Sequence, residues 1–177
     1  MNPHLLKRKD LFWVILLAIL ALAPLVSAIT TNTFLMHVLI LILLFAAMAQ
    51  AWNIIGGYGG QTSFGHSVFF GIGAYGAGMA VVTYGLTPWP GIGAGMLAAA
   101  AVAVLISYPC FKLSGHYFAI ATFAIVEIFH RMFLVWYWVG GALGLDYPLV
   151  DQGFTNLMWY DTKTGYYYGA LALFLLV

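Results

Sequence analysis

Charged side chains are scarce in this sequence. Asp, Glu, Lys and Arg make up 6% of its 177 residues, whereas they make up about a quarter of a typical soluble domain. Between Leu11 and Phe111 none occurs. A folded protein in water needs a charged surface, so this scarcity excludes a soluble domain and predicts an integral membrane protein. The net charge of +1 also gives no reason to expect nucleic acid as a partner.

Cysteine and acidic residues are too few for several kinds of site. Cys110 is the only cysteine, which excludes an intrachain disulfide and a cysteine-rich metal site. Residues 71–76, GIGAYG, match the G-x-G-x-x-G pattern, but a dinucleotide site needs an acidic residue about 20 positions later, and the next one is Glu127. Glu127-x-x-His130 has the spacing of di-iron bundles, which require further carboxylates that the preceding segments lack. We therefore expect no bound cofactor, no metal and no catalytic residue.

Long apolar runs fill the sequence instead and predict an all-α fold, a polytopic bundle of transmembrane helices in the lipid bilayer. A helical span needs about 20 residues, so five complete spans fit and a sixth is begun. All 177 residues are assigned to a single transmembrane domain. Twelve residues cannot cross a bilayer, so the chain is expected to be the amino-terminal part of a longer one. The predicted spans are 11–29, 33–55, 64–84, 91–108, 116–139 and the incomplete 166–177.

The few basic residues predict the orientation. Residues 7–9, Lys-Arg-Lys, precede the first span, and positive charge beside a first span stays in the cytoplasm. Counting spans from there returns Lys112 to the cytoplasm and places the polar segment 140–165 outside. Residues 26–28, Val-Ser-Ala, also resemble a signal-peptide cleavage site. We expect a retained helix because further spans follow, and the amino terminus is cytoplasmic under either interpretation.

A concentration of glycine interrupts the apolar runs. Nine glycines fall between Gly56 and Gly78, with no charged residue among them. Glycine frees the backbone and lets helices approach closely, so we predict a broken or re-entrant segment feeding a tightly packed helix. The polar groups there could meet a substrate carboxylate or satisfy the interrupted backbone, and both interpretations stay open. The residues predicted to border a pathway are Gly59, Gly60, Gln61, Ser63, Gly65 and His66.

Small residues also recur every four positions after this segment. They predict a narrow groove for a partner helix, although such a groove could equally border a conduit. The alanine- and glycine-rich fourth span, 91–108, is likewise expected to pack against another helix. The recurring small residues are Ser63, Ser67, Gly71, Ala74 and Gly78.

Glu127 and Arg131 lie one helical turn apart inside the fifth predicted span, in the order that favours an ion pair. A lone charge inside a membrane is unfavourable, which favours pairing. The pair could hold helices together through mutual neutralisation, or it could gate the path or contact a substrate. The sequence leaves both interpretations open.

Three stretches together resemble a known family. They lie within residues 51–75 (AWN, then GYGGQTSFGH and FFGIGAY), residues 115–128 (GHYFAIATFA, then EI) and residues 140–145 (GGALGL). The combination resembles the signatures of permeases of branched-chain amino acid ABC importers, the LivM type. It is far more specific than any single glycine motif.

The resemblance implies a multi-pass subunit of the bacterial inner membrane that forms the translocation path for branched-chain, hydrophobic amino acids. It implies four partners: a second homologous permease, two cytoplasmic ATPases and a periplasmic substrate-binding protein. No G-x-x-x-x-G-K-[ST] loop is present, so the ATP would be used by the partners and this chain would not be an enzyme. Alternatives are a permease for urea or short amides, an ion-coupled transporter or channel with an ion site at the broken helix, and a purely structural membrane subunit.

Overall fold

The computed structural model describes residues 11, 20–22, 24, 33–159 and 163–177. These residues form helices and turns without a β-strand, apart from one isolated bridge between Gly153 and Met158, so the predicted all-α fold is confirmed. Residues 7–9 and most of the predicted span 11–29 lie outside the described residues. The helices are α1 (Thr33–Asn53), α2 (His66–Val82), α3 (Pro88–Cys110), α4 (His116–Val135) and α5 (Thr164–Leu176), with a π-helix at Ile54–Tyr58 and 3₁₀ turns at Tyr137–Val139 and Gly141–Leu143.

Three of these helices are long and apolar enough to cross a membrane: Phe34–Tyr58, which joins α1 to the π-helix, Pro88–Cys110 and His116–Val135. Two apolar helices are shorter, His66–Val82 and Thr164–Leu176. An α-helix rises about 1.5 Å per residue and must bridge about 30 Å of hydrocarbon. The three long helices reach this length, which confirms the prediction of membrane-spanning helices.

The helix ends differ from the predicted spans at two prolines and one tryptophan. Pro88 lies in the first turn of α3, three residues before the predicted start, where its missing N–H needs no partner. Pro109, predicted to stop that helix, lies inside its last turn. Helix α4 ends at Val135 and not at residue 139, because Trp136 takes an extended conformation with φ of −82° and ψ of 101°.

The chain forms two compact units, of which the smaller joins the described residues up to Ala46 with Trp159–Leu176. Its core is made of apolar side chains from α1 and α5. Tyr167 is fully buried there, and its hydroxyl donates a hydrogen bond of 2.6 Å to the Leu20 carbonyl. The buried core residues are Met36, Leu43, Tyr167 and Leu171.

The larger unit, residues 47–158, contains the closest helix packing, between α2 and α3. A Cβ atom on Gly76 would lie 2.5 Å from the Cα of Gly95, and one on Gly95 would lie 2.8 Å from the Gly73 carbonyl oxygen. The two backbones therefore cross without a side chain between them, which only glycine permits. The prediction that the glycine-rich fourth span packs against another helix is confirmed.

The contact face of α2 is not the predicted stripe of small residues. A Cβ atom on Gly71 would meet nothing within 4 Å, so α3 does not pack against that position. The contact involves Gly73, Gly76 and Ala77, whose steps of three and four residues stay on one helix face. Steps of four alone rotate away from that face, because a turn of α-helix contains about 3.6 residues.

Candidate functional site

The segment 54–65, here called the glycine joint, breaks the helical path after α1. The helix widens into a π-turn, in which the amide of Gly59 donates to the Ile54 carbonyl at 3.1 Å and the amide of Gln61 donates to the Ile55 carbonyl at 3.2 Å. Gly60 follows with a φ of +63°, a left-handed conformation that favours glycine. Single π-turns are rare and are found frequently at functional sites.

After Gly60 the chain returns along the helix that it has just left. The indole N–H of Trp52 donates to the Ser63 carbonyl at 2.6 Å, although the two residues are separated by the whole turn. Trp52 lies six positions before Tyr58, which corresponds to about 9 Å along a helix axis. The glycine joint therefore breaks the helix, as predicted, and turns back beside the last turn of α1.

Hydroxyl groups satisfy the backbone where α2 begins. The amide of Gly65 donates to the Ser63 Oγ at 3.2 Å, and the amide of Phe64 donates to the Thr122 Oγ1 of α4, also at 3.2 Å. The Ser63 and Thr122 side chains are both only 4% exposed. Ser63 thus serves the interrupted backbone, and Thr122 fixes the joint to α4.

Two other polar atoms of this region lack a partner. The Gln61 Oε1 and the His66 Nδ1 are buried, and neither has a hydrogen-bond partner among the described residues. The His66 ring has a hydrogen bond to the backbone of Ala51, so it is the Nδ1 atom alone that lacks a partner. An unpaired buried polar atom costs about 1–3 kcal/mol, so these two atoms mark a place where a hydrogen-bond donor would be stabilised.

A cavity of about 430 Å³ lies between α2, α4 and the loop that follows α4. We call it the α4 cavity. The loop carries three glycines with positive φ, Gly140, Gly141 and Gly144, of which the last two reach the cavity wall. The lining residues are Ser67, Val68, Gly71, Tyr75, Val126, Glu127, Phe129, His130, Phe133, Leu134 and Gly141–Gly144.

The ion pair of Glu127 and Arg131 lies beside this cavity. The Arg131 Nε lies 2.7 Å from the Glu127 Oε1, and the two side chains are 76% and 47% exposed, respectively. Glu127 lines the cavity, whereas Arg131 does not. The aromatic rings of Tyr75 and Phe133 pack at a centroid distance of 4.7 Å in the same wall.

The structure places the predicted path residues apart from this cavity. None of Gly59, Gly60, Gln61, Ser63, Gly65 and His66 lines it. Ser63 and Gly65 line a smaller cavity of about 50 Å³. The described residues contain no cluster of His, Cys, Asp or Glu that could hold a metal ion.

The sequence did not predict the α4 cavity, although two of the lining residues belong to a pattern that is visible in the sequence. Of the small residues at four-residue spacing, Ser67 and Gly71 line this cavity. The motif at residues 140–145 was used only as part of the family resemblance and not to predict a site. In the structure its residues Gly141 and Gly144 place peptide backbone at the cavity wall.

Comparisons with known proteins agree with the resemblance. A family model described as "Branched-chain amino acid transport system / permease component" matches residues 34–177. The chain is also 31% identical over 94 residues to the high-affinity branched-chain amino acid transport system permease protein LivM of Escherichia coli (strain K12). That match covers 53% of this chain and 22% of the relative. No solved structure matches the chain.

Proposed function

The chain belongs to the permease-component family of branched-chain amino acid transport systems, and from this membership we propose that it forms part of the path by which an importer carries branched-chain amino acids across the bacterial inner membrane. The match over residues 34–177 carries the proposal. The family is a transport component and not an enzyme, so ATP hydrolysis in such a system belongs to partner subunits. We assign to this chain no cofactor of its own.

The glycine joint supports a transport role. Irregular backbone at membrane depth is tolerated only where protein buries it or where it lines an aqueous cavity. Ser63 and Thr122 satisfy part of this backbone, while the Gln61 Oε1 and the His66 Nδ1 remain buried and unpaired. Such acceptors suit a solute that carries N–H donors, and alternating access would expose them first to one side of the membrane and then to the other.

The proposed assembly contains a second homologous permease, two cytoplasmic ATPases and a periplasmic binding protein. Transport is then driven by ATP and not by an ion gradient. The family match over residues 34–177 favours the ATP-driven alternative over an ion-coupled carrier.

Uptake into proteoliposomes tests the proposal. The full permease and its partner subunits are reconstituted with ATP inside and with the binding protein outside. We expect uptake of radiolabelled leucine that requires internal ATP and that a protonophore or sodium ionophore leaves unchanged. Uptake that needs an ion gradient and no ATP would show a secondary transporter, and uptake of urea or acetamide without leucine would replace the proposed substrate.

The orientation of the chain can be measured on both sides of α4. We propose that Lys112 is cytoplasmic and that Asp151 is external, since positive charge is retained inside. Lys112→Cys and Asp151→Cys are made separately in a Cys110→Ser background. An impermeant maleimide is expected to label position 151 in intact cells and position 112 only after permeabilisation. The reverse pattern would invert the proposed topology and move the amino terminus outside.

A further inference from the structure

The α4 cavity has the size of a small-molecule site. Its volume of about 430 Å³ falls within the range of about 300–1,000 Å³ that is usual for ligand pockets. Its walls come from three separate parts of the chain, α2, α4 and the loop at Gly141–Gly144. The cavity beside Ser63 and Gly65, at about 50 Å³, is too small for more than a water molecule or two.

Most of the wall is apolar and suits an aliphatic side chain. The rings of Tyr75 and Phe133 pack against each other there, and Val68, Leu134 and Leu143 complete the same surface. Burial of an aliphatic group on such a wall is favourable by about 25 cal/mol for each Å² removed from water. The cavity therefore favours a ligand with a substantial apolar part.

One charged side chain, that of Glu127, is among the described residues of the wall. Glu127 lines the cavity, and its ion pair with Arg131 engages the Oε1 atom, so the Oε2 atom keeps its capacity to accept a hydrogen bond from a ligand. Neither Lys nor Arg is among the described residues of the wall. A carboxylate in this position attracts a cationic donor, of which a primary ammonium group is the smallest that an organic solute offers.

The remaining polar groups can receive the other end of an amino acid. Because glycine has no side chain, the wall at Gly141 and Gly144 is the peptide backbone itself. Ser67 and His130 add a hydroxyl and an imidazole. The hydroxyl and the imidazole can donate a hydrogen bond to a carboxylate, whereas the amides of Gly141 and Gly144 already donate to the carbonyls of Trp136 and Gly141.

We propose that the α4 cavity binds a small solute that has a primary ammonium group beside an apolar side chain, with Glu127 as the acceptor of the ammonium group. The inference rests on the proposed transport of branched-chain amino acids and assigns the solute to a particular place in the chain. It makes Glu127 a binding residue, while Arg131 orients the carboxylate from outside the cavity through their ion pair at 2.7 Å.

Protection of a cysteine from a thiol reagent tests the assignment directly. Ser67→Cys lies in the cavity wall, and Gly93→Cys is the control, since a Cβ atom at Gly93 meets nothing within 4 Å and Gly93 does not line the cavity. Both are made in the full permease with Cys110→Ser and reconstituted with its partners. Leucine is expected to slow modification at position 67 and not at position 93. The 2-oxo acid of leucine, which lacks the ammonium group, is expected to protect neither position.

Glu127→Gln together with Arg131→Gln, added to Ser67→Cys, is expected to weaken the protection by leucine about tenfold or more in concentration, because a hydrogen bond to a charged group is lost while no uncompensated charge is left in α4. In a separate measurement, Gly71→Leu is expected to lower leucine uptake about tenfold or more because the leucine side chain fills the cavity. Gly93→Leu is expected to leave uptake close to that of the parent. Uptake by the parent is measured in the same preparation. If the parent takes up leucine but position 67 is not protected, the cavity assignment is overturned while the proposed function stands.

An absence of leucine uptake by the parent would instead contradict the proposed function. In that case the cavity assignment is judged on protection of position 67 by other small apolar amines. Equal protection of positions 67 and 93 would show a global effect of the ligand and would also overturn the assignment.

Discussion

Replacing Arg131 by alanine is expected to lower the amount of folded permease in the membrane several-fold, and replacing Glu127 and Arg131 together by glutamine is expected to restore most of it. The two side chains form an ion pair of 2.7 Å beyond the midpoint of α4, a helix that is apolar enough to cross the bilayer. A single charge at the centre of a membrane helix costs about 2.5–3.5 kcal/mol on insertion scales. Removal of one partner leaves that charge uncompensated, whereas removal of both does not.

The matched control is Lys163→Ala, which removes a cation just before α5 and outside the helices. It is expected to leave the folded amount unchanged, as measured by fluorescence-detected size exclusion of membrane extracts. The cycle of single and double variants also gives the coupling energy between the two side chains. A coupling below about 1 kcal/mol would show a solvated surface pair and would contradict a membrane-embedded position.

The same cycle separates the two interpretations of the ion pair. A pair with a purely structural role would regain both folding and leucine uptake in the double glutamine variant. If Glu127 also binds the ammonium group of the solute, the double variant regains folding and still fails to protect Ser67→Cys. The pair is thus tested as a structural element and as a binding element in one set of variants.

Local spacing was enough to anticipate features that lie within one helix or one turn. The interval between Glu127 and Arg131 puts both side chains on the same side of α4, which is where the structure has the ion pair. Glycine density likewise located the broken segment near Gly59 and Gly60, because a reversal of the backbone requires residues without a Cβ atom.

Features that depend on packing between distant segments could not be anticipated. Phe64 and Thr122 are 58 positions apart, and their hydrogen bond exists only because α2 and α4 lie side by side. The α4 cavity joins Gly71 to Gly141 for the same reason. The face of α2 that meets α3 was also missed, since the sequence contains small residues on more than one face and only the packing selects among them.

The role of individual glycines in the joint was a further detail beyond the sequence. At Gly60 a Cβ atom would meet nothing within 4 Å, so the requirement for glycine there is the positive φ alone. At Gly65 a Cβ atom would make ordinary contacts, 3.6 Å from the Ser63 Oγ. Gly59 is the glycine of the joint at which a Cβ atom would collide with backbone, 2.6 Å from the Ile55 carbonyl oxygen, whereas a Cβ atom on Gly56 would meet the Trp52 ring at 2.6 Å.

Gly59→Ala is accordingly expected to be the most damaging small substitution in the joint. Its Cβ atom would collide with backbone and not with a flexible side chain, and the Ile55 carbonyl is held by the amide of Gln61 at 3.2 Å. Relief requires the π-turn to open, which would also break the bond between Gly59 and the Ile54 carbonyl. Overpacking of this kind costs about 1–3 kcal/mol, and opening of the turn moves the segment that carries Gln61 and His66. Thermal unfolding of the purified permease and leucine uptake are both expected to fall.

Two comparisons show whether the π-turn is responsible. Gly60→Ala places an alanine in the left-handed backbone conformation, which lowers the free energy of unfolding by about 1–2 kcal/mol. Gly60→Asn is expected to be less destabilising because asparagine adopts this conformation more readily. Gly93→Ala in α3 has open space around its Cβ atom and is expected to be neutral or to stabilise by about 0.5–1 kcal/mol, since alanine favours a helix. The expected order of stability is therefore Gly93→Ala, Gly60→Asn, Gly60→Ala and Gly59→Ala. If Gly59→Ala unfolds at the same temperature as Gly93→Ala and transports leucine normally, the chain does not need the π-turn, and the re-entrant joint loses its place in the transport path.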